Sequence, residues 1–140
     1  MGASAPAKKA APQEIRTFFV SATTWGRRSI FQNEGMAGLF LVLLREHREK
    51  KRFQIHEFAL MRNHFHALLT PGPETSLEKC MQYIKGGFSF RAKKDLGFKG
   101  QIWQEGYNEH RVKDVRDYRE HVRYIHNNPL RAAVRRSEGF

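Results

Sequence analysis

The spacing of apolar residues divides the first half of the chain into a strand, a helix and two further strands. Residues 16–25 are rich in β-branched and aromatic side chains, which predicts a strand. After Asn33, which predicts an N-cap, apolar residues recur at helical spacing and a basic run follows, as the helix dipole favours. Residues 53–61 and 64–70 predict two strands joined by a short turn, and the prolines that follow forbid their continuation.

The second half of the chain predicts a helix, a strand and a final helix. Thr75 and Glu78 have capping-box spacing, which predicts the start of a helix that ends near Gly97. Residues 102–112 predict a fourth strand. Asp114 predicts the N-cap of a third helix that runs to about residue 127, where the following proline stops it.

This order of elements predicts an α+β fold. Strand, helix, strand, strand, helix, strand is the ferredoxin-like βαββαβ plan with a four-stranded antiparallel sheet, here with an added C-terminal helix. Two helices cover one sheet face, which leaves the other face for a ligand or for the added helix. Residues 1–13 lack periodicity and predict a flexible basic N-terminal arm, so residues 14–140 are expected to form a single domain.

Composition narrows the class of partner. The chain has 140 residues, with 25 Lys+Arg against 14 Asp+Glu and a net charge of +11, which favours a polyanion such as nucleic acid. The longest apolar run falls far short of the ~18 residues that cross a membrane. Cys80 is the only cysteine, and the N-terminal segment does not read as a signal peptide. We therefore expect a soluble, cytoplasmic protein without a membrane partner.

Two histidines in the third predicted strand are candidate metal ligands. His64 and His66 are two residues apart and point to the same face, while the apolar residues between and after them point to the opposite face. Two imidazoles at this spacing can hold one metal ion from a rigid platform. The alternative is a pair of polar side chains that face water.

The final helix contains a tyrosine outside its apolar face. Tyr124 lies about 140° from the middle of the apolar arc, at roughly 100° per residue, so it is not expected in the core. Asn128 stands four residues later and shares its side of the helix. The alternative is an exposed tyrosine and an asparagine that ends a helix.

Together these segments resemble a known family. The stretches FALMRNHFHALLTP and YREHVRYIHNNPLRAAV resemble the two signature segments of the REP-associated tyrosine transposases, within the HUH (His-hydrophobic-His) superfamily of single-strand transposases and nucleases. The resemblance implies that His64 and His66 are metal ligands, that Tyr124 is the nucleophile and that Asn128 is a third ligand. The chain departs from the family pattern at Arg62, where relatives commonly have proline.

The resemblance also implies an activity. A protein of this family is a metal-dependent transposase that cleaves and rejoins hairpin-flanked single-stranded DNA through a 5′-phosphotyrosine intermediate. Its ligand types favour Mg²⁺ or Mn²⁺ as the cofactor. Single-stranded or hairpin DNA is the expected partner, and a monomer is favoured over a dimer. The candidate DNA-backbone contacts are Arg27, Arg28, Lys85, Arg91, Lys93, Lys94 and Arg131.

Two alternatives stay open from the sequence. A nucleic-acid-binding module of the same fold would use the open sheet face without cleaving a strand. A metal-dependent hydrolase of small phosphoesters would need an acidic ligand near the histidines, and Glu57 is the only nearby carboxylate that could serve.

Overall fold

A computed structural model describes residues 16–127 and 133–136, which contain three α-helices and one antiparallel sheet. Two short 3₁₀ turns precede the first helix, at Trp25–Arg27 and Ile30–Gln32. In chain order the elements are β1 (Phe18–Thr23), α1 (Glu34–Lys50), β2 (Phe53–Met61), β3 (His64–Pro71), α2 (Leu77–Leu96), β4 (Asn108–Arg111), α3 (Val115–Asn127) and β5 (Ala133–Arg136).

The sheet has the strand order β4-β1-β3-β2-β5, with every neighbouring pair antiparallel. The first four strands in this order are those of the predicted ferredoxin-like plan, which confirms the predicted α+β fold with its added C-terminal helix. The fifth strand was not predicted. Its four residues are too short and too basic to give a strand pattern, and its pairing with β2 is a tertiary contact.

The main core lies between the sheet and helices α1 and α2. Alternate residues of β3 point into it, and among them Phe65 and Leu69 are almost completely buried. Phe40 of α1 meets both Phe65 and Phe88 of α2 there, with ring centroids about 5 Å apart. Because the apolar face of β3 is buried in this core, the histidines of that strand point to the opposite face.

Helix α3 packs on that opposite face. Ile125 is fully buried there against Ala59, Met61 and Leu68 of β2 and β3. Tyr118 and Val122 of the same helix pack beside this cluster. Asp114 caps the helix as predicted, because its Oδ1 accepts a hydrogen bond from the Asp117 amide at 2.8 Å.

Two predicted boundaries were wrong. The strand predicted over residues 102–112 is a strand only at Asn108–Arg111, because Trp103 turns into the core and donates its Nε1 hydrogen to the Lys85 carbonyl at 3.0 Å. Before Asn108 the backbone forms a single bridge, between Trp103 and Thr24, and a loop. Tertiary packing of one aromatic residue therefore overrides the local strand propensity.

The N-cap of α2 is Ser76 rather than Thr75. The Ser76 side chain accepts a hydrogen bond from the Lys79 amide at 3.0 Å. The Thr75 amide instead closes a turn onto the Gly72 carbonyl. Serine and threonine are both favoured at the N-cap position, so the capping-box spacing by itself predicted the wrong residue.

The predicted basic arm at residues 1–13 lies outside the described residues, and so do Asn128 and Arg131. Among the described helices, none combines the length and the apolar character that a membrane span requires.

Phe88→Ala is expected to lower the free energy of unfolding by about 3–5 kcal/mol, because it removes a ring from the closed core. Phe90→Ala is the matched control on the same helix, since Phe90 is 64% exposed and its loss should change stability by less than about 0.5 kcal/mol. Urea denaturation followed by circular dichroism measures both values. Equal losses in the two variants would contradict the assigned core.

Candidate active site

The two histidines of β3 meet on the sheet face that carries α3. His64 is the first residue of the strand, and its Nε2 lies 3.2 Å from Nε2 of His66. His66 is 9% exposed and pairs in register with Ser21 of β1 and Ala59 of β2, so it sits on a central strand. The sequence prediction that both imidazoles share this face is correct.

Hydrogen bonding determines which nitrogen of His64 carries its proton. Nδ1 of His64 lies 2.8 Å from Oδ1 of Asn63, whose amide nitrogen donates to the Arg27 carbonyl. Because the amide oxygen only accepts, Nδ1 donates, and the lone pair of Nε2 faces His66. Asn63 therefore orients His64.

The site keeps both imidazoles uncharged. Burial, with His64 as a second cause, lowers the pKa of His66 to about 4. Burial also lowers the pKa of His64, and the nearby guanidinium groups of Arg27 and Arg62 add to this effect. Nδ1 of His66 is buried and has no hydrogen-bond partner among the residues that the structure describes. Two neutral nitrogens about 3 Å apart fit adjacent ligands of one divalent ion, whose metal–nitrogen bonds are about 2 Å.

Tyr124 faces this histidine pair from α3. Its ring centroid lies 5.4 Å from that of His66, at an interplanar angle of 76°. The side chain is 51% exposed, in agreement with its predicted position outside the apolar arc of the helix. The structure thus brings together three of the predicted site residues from a single chain. Asn128 lies outside the described residues, and its role as a third ligand stays a prediction.

Phe19 of β1 is a central contact of this face that the sequence did not single out. Its ring stacks on His66 at 5.4 Å and meets the edge of Tyr124 at 5.8 Å. It also contacts His121 of α3 at 4.6 Å. A phenylalanine in a predicted strand gives no signal of this role, because its contacts come from two other elements, β3 and α3.

A second cluster on the same face was also missed. Asp117 of α3 holds two imidazoles: Nε2 of His110 lies 2.9 Å from its Oδ2, and Nδ1 of His121 lies 3.1 Å from its Oδ1. The Lys113 amide and the His110 ring donate to this carboxylate and lower its pKa. The spacing of Asp117 and His121, four residues apart on a predicted helix, was the available signal. Within the described residues, this group of three could hold a metal ion.

Glu57, the carboxylate on which the hydrolase alternative depended, contacts a histidine of α3. Its carboxylate lies 2.8 Å from Nε2 of His126, and this contact links β2 to the last turn of α3. The hydrolase alternative, which needed Glu57 as a metal ligand, therefore gains no support.

Three of the predicted DNA-contact residues are engaged within the fold. Arg28 donates to the carbonyls of Trp25 and Gln101, Lys85 donates to those of Gln104 and Gly106, and Arg91 pairs with Glu46 and Asp95. Their positive charge still contributes to the surface potential. Their side chains, however, are already committed to backbone carbonyls or carboxylates.

Arg27 is the predicted DNA-contact residue that lies beside the histidines. It is exposed, follows the exposed indole of Trp25 in the same turn, and affects His64 electrostatically. Lys93 and Lys94 are exposed in the last turn of α2.

Comparisons with known proteins identify relatives of the chain. Residues 17–128 match the family described as "Transposase IS200 like". A REP-associated tyrosine transposase of Escherichia coli (strain K12) is 27% identical over 126 residues, which cover 84% of this chain and 73% of that protein.

Two solved structures share the fold. The structure of a REP-associated tyrosine transposase bound to a REP hairpin aligns with a TM-score of 0.68 at 23% identity, over 84% of this chain and 68% of that one. A transposase-like protein from Deinococcus radiodurans R1 aligns with a TM-score of 0.58 at 19% identity, over 79% of this chain and 88% of the other.

Asp117→Asn is expected to lower the free energy of unfolding by about 1–2 kcal/mol at pH 7, because it weakens hydrogen bonds to a charged acceptor. The folded protein lowers the pKa of this carboxyl, so its contribution is present above the unfolded value of about 3.8. That contribution is lost as pH falls through the lower folded value. Urea denaturation at pH 7, 5 and 3 should show the difference from the wild type narrowing at the lowest pH.

Asp95→Asn is the matched control for this prediction. Asp95 is exposed and lies 3.7 Å from Arg91, so its loss should change the free energy of unfolding by less than about 0.5 kcal/mol at each pH. A wild-type-like stability of Asp117→Asn at pH 7 would refute the role given to this carboxylate.

Proposed function

Because the chain belongs to the family of IS200-like transposases, we propose that it cleaves and rejoins single-stranded DNA with Tyr124 as the nucleophile, beside a metal ion held by His64 and His66. The observation that carries this proposal is the 5.4 Å approach of the Tyr124 ring to His66 within one chain. Since one chain supplies both parts, a monomer is sufficient for the chemistry. The family membership makes the chain a transposase, and the details that follow are our proposal.

The metal site consists of His64 and His66, with Asn128 as the proposed third ligand. When bound, Mg²⁺ or Mn²⁺ would neutralise charge on the scissile phosphate and polarise it. The protein's own contribution is to hold both imidazoles neutral and oriented. The hydrogen bond between Asn63 and Nδ1 orients His64, and burial keeps His66 neutral.

Tyr124 supplies the attacking oxygen. Its hydroxyl oxygen forms a bond to the 5′-phosphate, the phenolic proton leaves, and the bond to the 3′ oxygen breaks to release a 3′-hydroxyl group. Because one phosphodiester replaces another, the reverse reaction can join a strand without a nucleotide cofactor. Positioning is the protein's main task in such a transfer, and α3 holds Tyr124 through the buried Ile125 of the same turn.

Single-stranded DNA beside a hairpin is the proposed substrate. One solved relative is bound to a REP hairpin, and the chain's net charge of +11 suits a polyanion. The turn that carries Trp25 and Arg27 lies next to the histidine pair, because Thr24 donates to the Asn63 carbonyl at 2.9 Å. An exposed indole followed by an exposed guanidinium suits a base and its phosphate.

The alternative of a binding module without cleavage is less well supported. Such a module would use an uncovered sheet face for base stacking. Here α3 packs on that face, and Ile125 is fully buried against it. The exposed tyrosine of that helix is instead directed to the histidine pair.

Tyr124→Phe is expected to abolish the covalent protein–DNA adduct, because it removes the attacking oxygen and leaves the ring in place. The measurement is a denaturing gel of protein incubated with labelled single-stranded hairpin DNA and Mn²⁺. Tyr118→Phe is the matched control on the same helix, since Tyr118 packs beside the Ala59 cluster and should leave the adduct intact. An adduct of wild-type yield from Tyr124→Phe would refute the assignment of the nucleophile.

His64→Ala and His66→Ala should each reduce adduct formation by at least about 100-fold, because each removes a proposed metal ligand. EDTA should have the same effect on the wild type, and added Mn²⁺ should restore activity. His56→Ala is the control, because His56 bonds to Thr70 and lies outside the pair. DNA affinity should change by only a few fold in all three variants, so that a loss of adduct reports on cleavage rather than on binding. Unchanged cleavage by His64→Ala and His66→Ala would exclude the proposed site.

A further inference from the structure

A second candidate metal site lies on the same sheet face as the histidine pair. His110 of β4 and His121 of α3 converge on Asp117, and one ligand atom from each of the three side chains lies within 4.8 Å of the others. The His110 and His121 rings stack with centroids 4.9 Å apart. Two elements that are separate in the sequence thus contribute to one compact cluster.

The ligand types and distances suit zinc. Two imidazole nitrogens and one carboxylate oxygen form a common zinc set, with a fourth position for water. Bonds of about 2.0–2.1 Å in a tetrahedral site place neighbouring ligand atoms about 3.3 Å apart. His110 lies 2.9 Å from one carboxylate oxygen and His121 lies 3.1 Å from the other, and one ligand atom of each residue lies within 4.8 Å of the others, so small side-chain shifts would accommodate the ion.

This cluster is distinct from the His64–His66 pair. Strand β1 lies between β3 and β4 in the sheet, and its Phe19 contacts His66 on one side and His121 on the other. The aromatic ring therefore separates the two groups. A metal ion bound to the cluster would not share a ligand with the pair.

We propose that His110, Asp117 and His121 form a zinc site that links α3 to the edge strand β4. The ion would add a link between these elements one helical turn before Tyr124. On binding, the single hydrogen of each neutral ring lies on the nitrogen that faces away from the ion, so that the lone pair of the other nitrogen, rather than an N–H, faces the metal. His121 also gives up its 2.9 Å contact to the Asp117 carbonyl.

The test uses the untagged 140-residue chain, stripped of metal with EDTA. In a His64→Ala/His66→Ala background, titration calorimetry with zinc chloride should show one equivalent bound per chain. Adding Asp117→Asn, or His110→Gln as a second variant, should abolish that equivalent. Adding His126→Ala should leave it, since His126 contacts Glu57 instead. Circular dichroism verifies that each variant is folded.

A second measurement reports on the helix directly. Zinc should raise the melting temperature of the double variant by several degrees and slow amide hydrogen exchange in α3. Failure of the double variant to bind zinc would overturn the proposal, as would equal binding after Asp117→Asn. Neither outcome affects the Tyr124-dependent adduct that the wild type is expected to form with Mn²⁺. Failure of the zinc proposal can therefore be distinguished from failure of the proposed cleavage function.

Discussion

The burial of Ile125 under the sheet is the contact on which the site depends. This side chain lies against Ala59, Met61 and Leu68, and it fixes the rotation of α3 on the sheet face opposite the main core. With Ile125 turned inward, the preceding residue Tyr124 is directed along the sheet toward His66. A packing interaction without polar character therefore sets the distance between a phenol and an imidazole. Hydrogen bonds and charges then act on a geometry that hydrophobic contact has established.

Periodicity predicted the parts of the site that lie within single elements. The alternation of β3 placed His64 and His66 on one face, and the helical arc of α3 left Tyr124 outside the core, as the structure has them. Periodicity did not predict the contacts that side chains make between different elements. The role of Phe19 and the convergence of His110 on Asp117 depend on the order of β4, β1 and β3 in the sheet. The predicted plan includes that order, but the sequence pattern does not specify the register of β4 on β1 or the position of α3 across the two strands.

The predicted basic surface shows a different limit. Charge counts predicted a polyanionic partner, and the family to which the chain belongs acts on DNA. They did not separate the cations that face solvent from those that the fold uses. Arg28 and Lys85 donate to loop carbonyls, while Arg27 remains exposed beside His64. A long cationic side chain satisfies backbone acceptors as readily as phosphate, so only its neighbours decide which it serves.

The position of Phe19 couples two parts of this sheet face. One ring packs against the proposed cleavage centre and against the cluster around Asp117. A smaller residue at this position would leave a gap beside both, and a larger one would press on both. A change of side-chain size at position 19 would therefore need compensation on β3 and on α3 together.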